Sequence, residues 1–177
     1  MKRILIIALC GIAALYSCKN TEKKEDTAMA AIDRYMTEMG ANYAPGEYCI
    51  PWSLIAAMEE ENTEDIKVWG DFWVENYNMV GDTLKSVSGG SHPGCMHVKK
   101  ADDKYEVTQF DAVADGSDFE PTAREIFGQH YDALIALMSD DDAKSAARAQ
   151  SVLDYSAVNK LEVSYIQDYG WPAVSLK

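Results

Sequence analysis

A central part of the chain, residues 66–113, consists of long runs in which the apolar and aromatic residues favoured in β-strands are interspersed with polar ones. Two short polar links, residues 80–82 and 101–104, divide it into three long segments. Short links of this kind between β-rich segments predict antiparallel hairpins. The apolar residues 48–58 predict a further strand, and Pro51 places this strand at an edge or at a bulge. The pattern therefore predicts a four-stranded antiparallel meander.

The sheet is expected to be curved and to be covered on both faces. Pairing across the first link places Gly89 and Gly90 opposite Phe72 and Trp73. Adjacent glycines in a strand indicate a bulge or a sharp bend, which would curl the meander. The strand of residues 66–80 carries apolar side chains on both of its faces, so we expect both faces to be at least partly covered.

Segments with the helical period of 3.6 residues lie before and after the strands. Residues 27–39 predict an N-terminal helix, which Gly40 ends. Residues 121–138 predict a second helix, and a third begins with the acidic residues 140–142 in its first turn, where the helix dipole favours negative charge. Residues 161–165 alternate again and predict a last strand. An antiparallel sheet with segregated helices is an α+β domain.

The order of these elements resembles a known architecture. A helix followed by a four-stranded curved meander, from Tyr35 through Phe110, resembles the cystatin-like and nuclear-transport-factor-2-like folds. This resemblance implies a cone-shaped domain. The chain departs from that architecture in the two helices and the strand that follow the meander. Trp171, in the turn-rich segment at the end of the chain, is expected to dock on the core.

The N-terminus has the layout of a secretory signal. Lys2 and Arg3 precede the apolar residues 4–15, which are well short of the ~20 apolar residues that cross a membrane as a helix. The run Leu15-Tyr16-Ser17-Cys18 resembles the bacterial lipobox. The resemblance implies cleavage before Cys18 and acylation of its thiol and its amine, for example with palmitate. A secreted protein with a free Cys18 is the alternative.

The lipobox divides the chain into three parts. Residues 1–17 are the signal peptide, residues 18–27 are the lipidated cysteine with a polar tether, and residues 28–177 form a single domain. Acyl chains on one residue make a stable anchor. We therefore expect a lipoprotein of the cell envelope that is held at a membrane by Cys18. The outer membrane is the expected location, on its periplasmic face or at the cell surface.

The charge of the mature chain limits its partners. Of 16 Lys and Arg residues, Lys2 and Arg3 leave with the signal, so 14 basic residues face 29 acidic residues and the net charge is −15. A chain this acidic does not follow a phosphate backbone, so nucleic acid is excluded as a partner. The balance fits an extracytoplasmic domain, or one that binds a cationic partner.

Two cysteines, Cys49 and Cys95, remain in the domain. An even pair in an oxidising compartment is compatible with a disulfide, and this bond would enclose 45 residues. Closing such a loop would stabilise the domain by ~4 kcal/mol. The alternative is two separate buried thiols that pack as small apolar groups.

Three groups of residues are candidates for a site. Trp69, Trp73 and Tyr77 share one face of a strand, where they either line a ligand pocket or pack in the core under a helix. Pairing across the second link places His97 opposite Thr108, within reach of the carboxylates of Glu106 and Asp111. Such a pair transfers protons in some enzymes, but it is more often only hydrogen-bonded.

No metal or other cofactor is predicted. His92, Cys95 and His97 are residue types that bind zinc, but their spacing matches no common zinc pattern. The acidic residues 140–142 lack the glycine and the distal glutamate of a calcium-binding loop, so a helix start explains them better.

Three functions remain open. The leading hypothesis is a membrane-anchored extracytoplasmic module that binds an unknown small ligand or protein partner. The second is a small enzyme that uses His97 with a nearby carboxylate, and the third is an acidic inhibitor or immunity-type protein. A deep pocket with His97 at its floor would favour the enzyme. A filled sheet with a coherent acidic patch would favour the protein partner.

We predict that Cys18 is the first residue of the mature protein and that it is acylated. Cells fed a fatty-acid analogue should label the wild-type protein, and Cys18→Ala should lose the label because it removes the acceptor thiol. Cys10→Ala changes a cysteine inside the signal and should keep the label. Label that persists in Cys18→Ala, or an intact N-terminus in the mass spectrum, would contradict the prediction.

Overall fold

The computed structural model describes residues 26–176, so the predicted signal peptide and the predicted acylation of Cys18 lie outside the described residues. The domain is α+β, as predicted. Within the described range, no helix is long and apolar enough to cross a membrane. The helices are α1 (Ala28–Met39), α2 (Phe119–Phe127), α3 (Tyr131–Ser139) and α4 (Asp141–Asn159). The strands are β1 (Tyr48–Glu59), β2 (Ile66–Val80), β3 (Thr83–Ala101), β4 (Lys104–Ala112), β5 (Tyr165–Gln167) and β6 (Val174–Ser175).

The predicted meander forms the body of the sheet. Strands β1, β2 and β3 pair in antiparallel order, with β1 at the edge where Pro51 predicted it. Strand β3 is long enough to pair on its other side with two strands. Its second half, from Gly94 on, pairs with β4, and its start, Thr83 to Lys85, pairs in parallel with β5. The sheet therefore has six strands, two more than the meander.

Two bulges change the predicted register. Val87 of β3 has no partner in β2, so it forms a bulge. As a result Gly90 faces Val74, whereas Trp73 faces Ser91 and Phe72 faces His92. A second shift lies between His97 and Val98, so His97 faces Gln109 and not Thr108. A bulge adds one residue to one strand, and counting back from a hairpin turn cannot detect that addition.

The C-terminal part contains three helices and not the two that were predicted. Gly128 has a φ of +50°, a conformation that glycine adopts without strain, and it separates α2 from α3 within the predicted helix of residues 121–138. The last predicted strand is also displaced, because β5 begins at Tyr165. Trp171 was expected to dock on the core, but it is 71% exposed.

Both faces of the sheet are covered, as the two apolar faces of β2 predicted. On one face, Ile32 and Met36 of α1 pack against a core that includes Phe72. On the other face, the C-terminal helices pack against Trp69 and Tyr77, which belong to two separate clusters. Covering both faces explains why β2 is buried along most of its length.

The predicted disulfide between Cys49 and Cys95 does not form, and the alternative of separate thiols applies. Both cysteines are free in the structure. Cys49 pairs with Asn76 of β2, whereas Cys95 pairs with Trp69 of the same strand. Positions 69 and 76 differ by an odd number, so the two thiols lie on opposite faces of the sheet and cannot approach each other.

Arg148 of α4 connects the helical layer to the sheet. Its Nε lies 2.7 Å from a carboxylate oxygen of Glu75 and donates to the hydroxyl of Tyr77 at 2.9 Å. Its terminal nitrogens donate to both carboxylate oxygens of Asp168 at 2.6 and 2.9 Å. Burial raises the pKa of Glu75, and the charge of Arg148 opposes that shift. The guanidinium therefore compensates a carboxylate that the core would otherwise disfavour.

We predict that Arg148→Met lowers the free energy of unfolding by about 3–5 kcal/mol, because it leaves Glu75 as an uncompensated buried acid. Arg124→Met is the matched control. Arg124 is 58% exposed, pairs with Glu120 and lies over the ring of Tyr131. Losing these exposed contacts should cost about 1 kcal/mol or less. Urea unfolding followed by circular dichroism measures both variants, and similar losses in the two would contradict the prediction.

Candidate functional site

An open cleft of about 650 Å³ lies between the sheet and α2. The strand register explains its composition. Lys67 faces His97 across β2 and β3, Trp69 faces Cys95, and Cys95 faces Asp111 of β4. These five side chains therefore share the face of the sheet that α2 covers. The helix contributes Thr122, Glu125 and Ile126 to the opposite wall.

His97 is held between two carboxylates. Its Nδ1 lies 2.6 Å from Oδ1 of Asp65, and its Nε2 lies 3.2 Å from Oδ2 of Asp111. An imidazolium donates from both nitrogens, whereas a neutral imidazole donates from one. Hydrogen bonds from Gln109 and from His97 lower the pKa of Asp111. The arrangement therefore joins the loop before β2, strand β3 and strand β4 through one ring.

The structure chooses between the two carboxylates that were predicted as partners of His97. Asp111 is the partner, whereas Glu106 faces Lys99. Asp65 was missed, although a signal for it was present. Ile66 pairs with Val98, so the residue before Ile66 lies on the His97 face of the sheet. The predicted strand began at residue 66, so Asp65 was left outside the strand pattern.

Cys95 lines the cleft but has the properties of a packed thiol. Its residue is 3% exposed. Burial, and then the nearby charge of Asp111, raise the pKa of the thiol to about 12. The thiolate is the nucleophilic form of cysteine, so this environment suppresses its reactivity.

Lys67 and Trp69 give the cleft one cationic and one aromatic group. Within residues 26–176, Lys67 makes no ion pair, and its charge contributes, after Gln109 and His97, to the lowered pKa of Asp111. The indole nitrogen of Trp69 donates to the carbonyl of Ile126 at 2.9 Å, and its ring lies 5.0 Å from that of His130. Trp69 therefore fixes α2 and forms part of the wall.

The other two aromatic candidates lie outside the cleft. Trp73 stacks on Trp52 of β1 with ring centroids 4.7 Å apart, and its indole nitrogen donates to Asp71 at 2.7 Å. Tyr77 is fully buried, and its hydroxyl donates to Glu75. Core packing under the helices is therefore confirmed for Tyr77. The structure brings only Trp69 of the three aromatic residues together with His97.

Two buried acids on the aromatic face were missed. Asp71 and Glu75 occupy odd-numbered positions of β2, as Trp69, Trp73 and Tyr77 do. Because every second residue of a strand points to the same side, the sequence already placed all five on one face. Burial raises the pKa of Asp71, and hydrogen bonds from Ser91 and from Trp73 oppose that shift.

The residues considered for metal binding do not converge. His92 lies on the α1 face, where its Nε2 is 2.8 Å from the hydroxyl of Tyr43, whereas Cys95 and His97 lie on the other face. In the described part of the chain, no group of three or more His, Cys, Asp and Glu side chains is arranged to hold a metal ion. Residues 140–142 begin a helix, as expected, because the side chain of Asp140 accepts from the N–H of Ala143 at 2.9 Å.

We predict that Cys95 reacts slowly in the folded protein. At pH 8, a thiol whose pKa is about 12 instead of 9.0 has a thiolate population roughly 1,000-fold smaller. Iodoacetamide should therefore label Cys95 at least about 1,000-fold more slowly in the native protein than in urea. Peptide mass spectrometry on a variant that begins at Lys19 resolves Cys95 from Cys49. Rapid native labelling of Cys95, or failure of either cysteine to react in urea without a reductant, would contradict the structure.

Comparison of the chain with protein-family models, with curated proteins and with solved structures finds no match.

Proposed function

We propose that the protein is a lipid-anchored module of the cell envelope that binds a small polar ligand in the cleft beside His97. The lipobox resemblance at Cys18 supports the anchor. The cleft itself is the observation that carries the binding function. Its volume of about 650 Å³ lies within the range of about 300–1,000 Å³ that is usual for small-molecule sites. The resemblance of α1 and the meander to cystatin-like folds stays a prediction.

The lining of the cleft favours a polar ligand. Lys67 supplies a free ammonium group, Glu125 supplies an exposed carboxylate, and Trp69 and Ile126 supply apolar contact area. An anionic group on the ligand would make a charge-assisted hydrogen bond to Lys67. Such a bond contributes about 1.5–3 kcal/mol, so Lys67 is the side chain on which affinity should depend most strongly.

Two features favour binding over catalysis. Both ring nitrogens of His97 already have carboxylate partners, and neither is directed at a nucleophile. Cys95 is the nearest thiol, and burial keeps it protonated because its pKa is about 12. An enzyme based on acid–base or nucleophilic chemistry requires an activated group of one of these kinds.

A small enzyme is the second candidate, because one observation supports it. His97 lines an open cleft, and Asp111 lies within hydrogen-bonding distance of its Nε2. A His and a carboxylate in that relation form an acid–base pair if the carboxylate moves aside to admit a substrate. In that case Asp65 would orient the ring through Nδ1.

We predict that protein purified gently from its own cells retains a small molecule that native mass spectrometry detects. Lys67→Met should lower the bound fraction through an affinity loss of about tenfold or more, the equivalent of one charge-assisted hydrogen bond. Lys85→Met is the matched control, because Lys85 is an exposed lysine at the start of β3, far along the strand from the cleft residues Cys95 and His97. It should leave the bound fraction unchanged.

Equal retention by the two lysine variants, or no bound molecule in the wild-type protein, would contradict the binding proposal. The same preparations separate the second candidate from the first. A turnover that substrate screening detects in the wild-type protein and that His97→Ala abolishes, with the variant still folded, would identify an enzyme.

A further inference from the structure

Two large aromatic side chains are exposed in the short segment between β5 and β6, residues 168–172, which we call the aromatic turn. Tyr169 is 96% exposed and Trp171 is 71% exposed. Val174, at the start of β6 just after the turn, is also 68% exposed. Clustered exposed apolar groups of this kind commonly mark an interaction surface.

The aromatic turn is held rigidly although its rings are free. Arg148 donates to both carboxylate oxygens of Asp168, and these bonds lower the pKa of that carboxyl. The N–H of Trp171 donates to the carbonyl of Asp168 at 3.1 Å, and the side chain of Gln167 donates to the carbonyl of Trp171 at 3.0 Å. Gly170 has a φ of +78°, which suits glycine. A preorganised turn loses little conformational entropy when a partner binds it.

The shape of the aromatic turn excludes a small ligand. Small molecules bind in concave sites that enclose most of their surface. Tyr169 and Trp171 instead project from the surface, as their exposure shows. Projecting aromatic side chains that enter a pocket on a partner are typical of the residues that dominate protein–protein affinity. We propose that the aromatic turn is a docking site for another protein.

The aromatic turn is remote from the point where the tether enters the domain. Asp26, where the tether enters the domain, accepts from the N–H of Tyr105, and Tyr105 pairs with Lys100 near the end of β3. The turn follows β5, which runs parallel to the start of β3 and ends where Gln167 pairs with Lys85. From residue 85 to residue 100 the strand extends for roughly 50 Å along its path at about 3.3 Å per residue. The turn therefore begins far along β3 from the tethered end.

Charge identifies the partner as a net-basic protein. The mature chain has 14 basic and 29 acidic residues, a net charge of −15 after Lys2 and Arg3 leave with the signal. Two copies of a chain with this charge repel each other, whereas a basic protein is attracted over long range. This part of the proposal rests on the lipid-anchored module proposed above, because cleavage before Cys18 sets the mature charge.

Photo-crosslinking in the living cell tests the proposal with the full lipidated chain. The photoreactive residue p-benzoylphenylalanine replaces Tyr169 in one strain and Val158 in another, because Val158 of α4 is as exposed as Trp171, at 71%. We expect a protein adduct at position 169 that is absent at position 158, and mass spectrometry should identify its partner as net basic. Lys67→Met weakens ligand binding in the cleft and should leave this adduct unchanged, so failure of the cleft proposal is distinguishable.

The purified partner then serves as the probe for affinity. Trp171→Ala should weaken binding by about 30-fold, the usual minimum for a dominant interface residue. Val158→Ala should change the Kd by less than about twofold, and raised salt should slow association. No adduct at position 169, an adduct with lipid, glycan or a second copy of this chain, or the same adduct at position 158 would overturn the proposal. An unchanged Kd in folded Trp171→Ala would overturn it as well.

Discussion

The guanidinium of Arg148 joins three parts of the molecule that are far apart in the sequence. It lies on α4, compensates the charge of Glu75 on the central strand, and binds Asp168 in the C-terminal segment. A buried ion pair adds little net stability, but removing one partner is costly. The position of α4 on the sheet, and with it the geometry of the aromatic turn, therefore depends on this one side chain.

The two faces of the sheet have different characters. The α1 face contains a continuous apolar core around Phe72, into which Cys49 and His92 fit as packed residues. The other face combines aromatic rings with the buried acids Asp71 and Glu75. These two acids are tolerated on that face because each has a partner, either a neighbour on the sheet or a cation from α4. Both proposed sites are connected to this second face.

The cleft and the aromatic turn suit different partners because their shapes differ. The cleft is concave and polar, and it offers a lysine without an ion pair. The aromatic turn is convex and apolar, and its rigid backbone is anchored through a buried cation. They lie at different places along β3, since His97 is close to the tethered end and β5 pairs with Thr83 to Lys85. A single long strand thus separates the proposed ligand site from the proposed docking surface.

The sequence by itself determined the α+β class, the hairpins, the edge position of β1 and the burial of both sheet faces, because turn preferences and side-chain periodicity act over a few residues. Alternation along β2 also placed Asp71 and Glu75 on the aromatic face. Only the tertiary structure decided where the bulges lie, the break at Gly128 and the free thiols. The same holds for the pairing of Arg148 with Glu75, since contacts between residues more than 70 positions apart depend on how the elements pack and leave no local pattern.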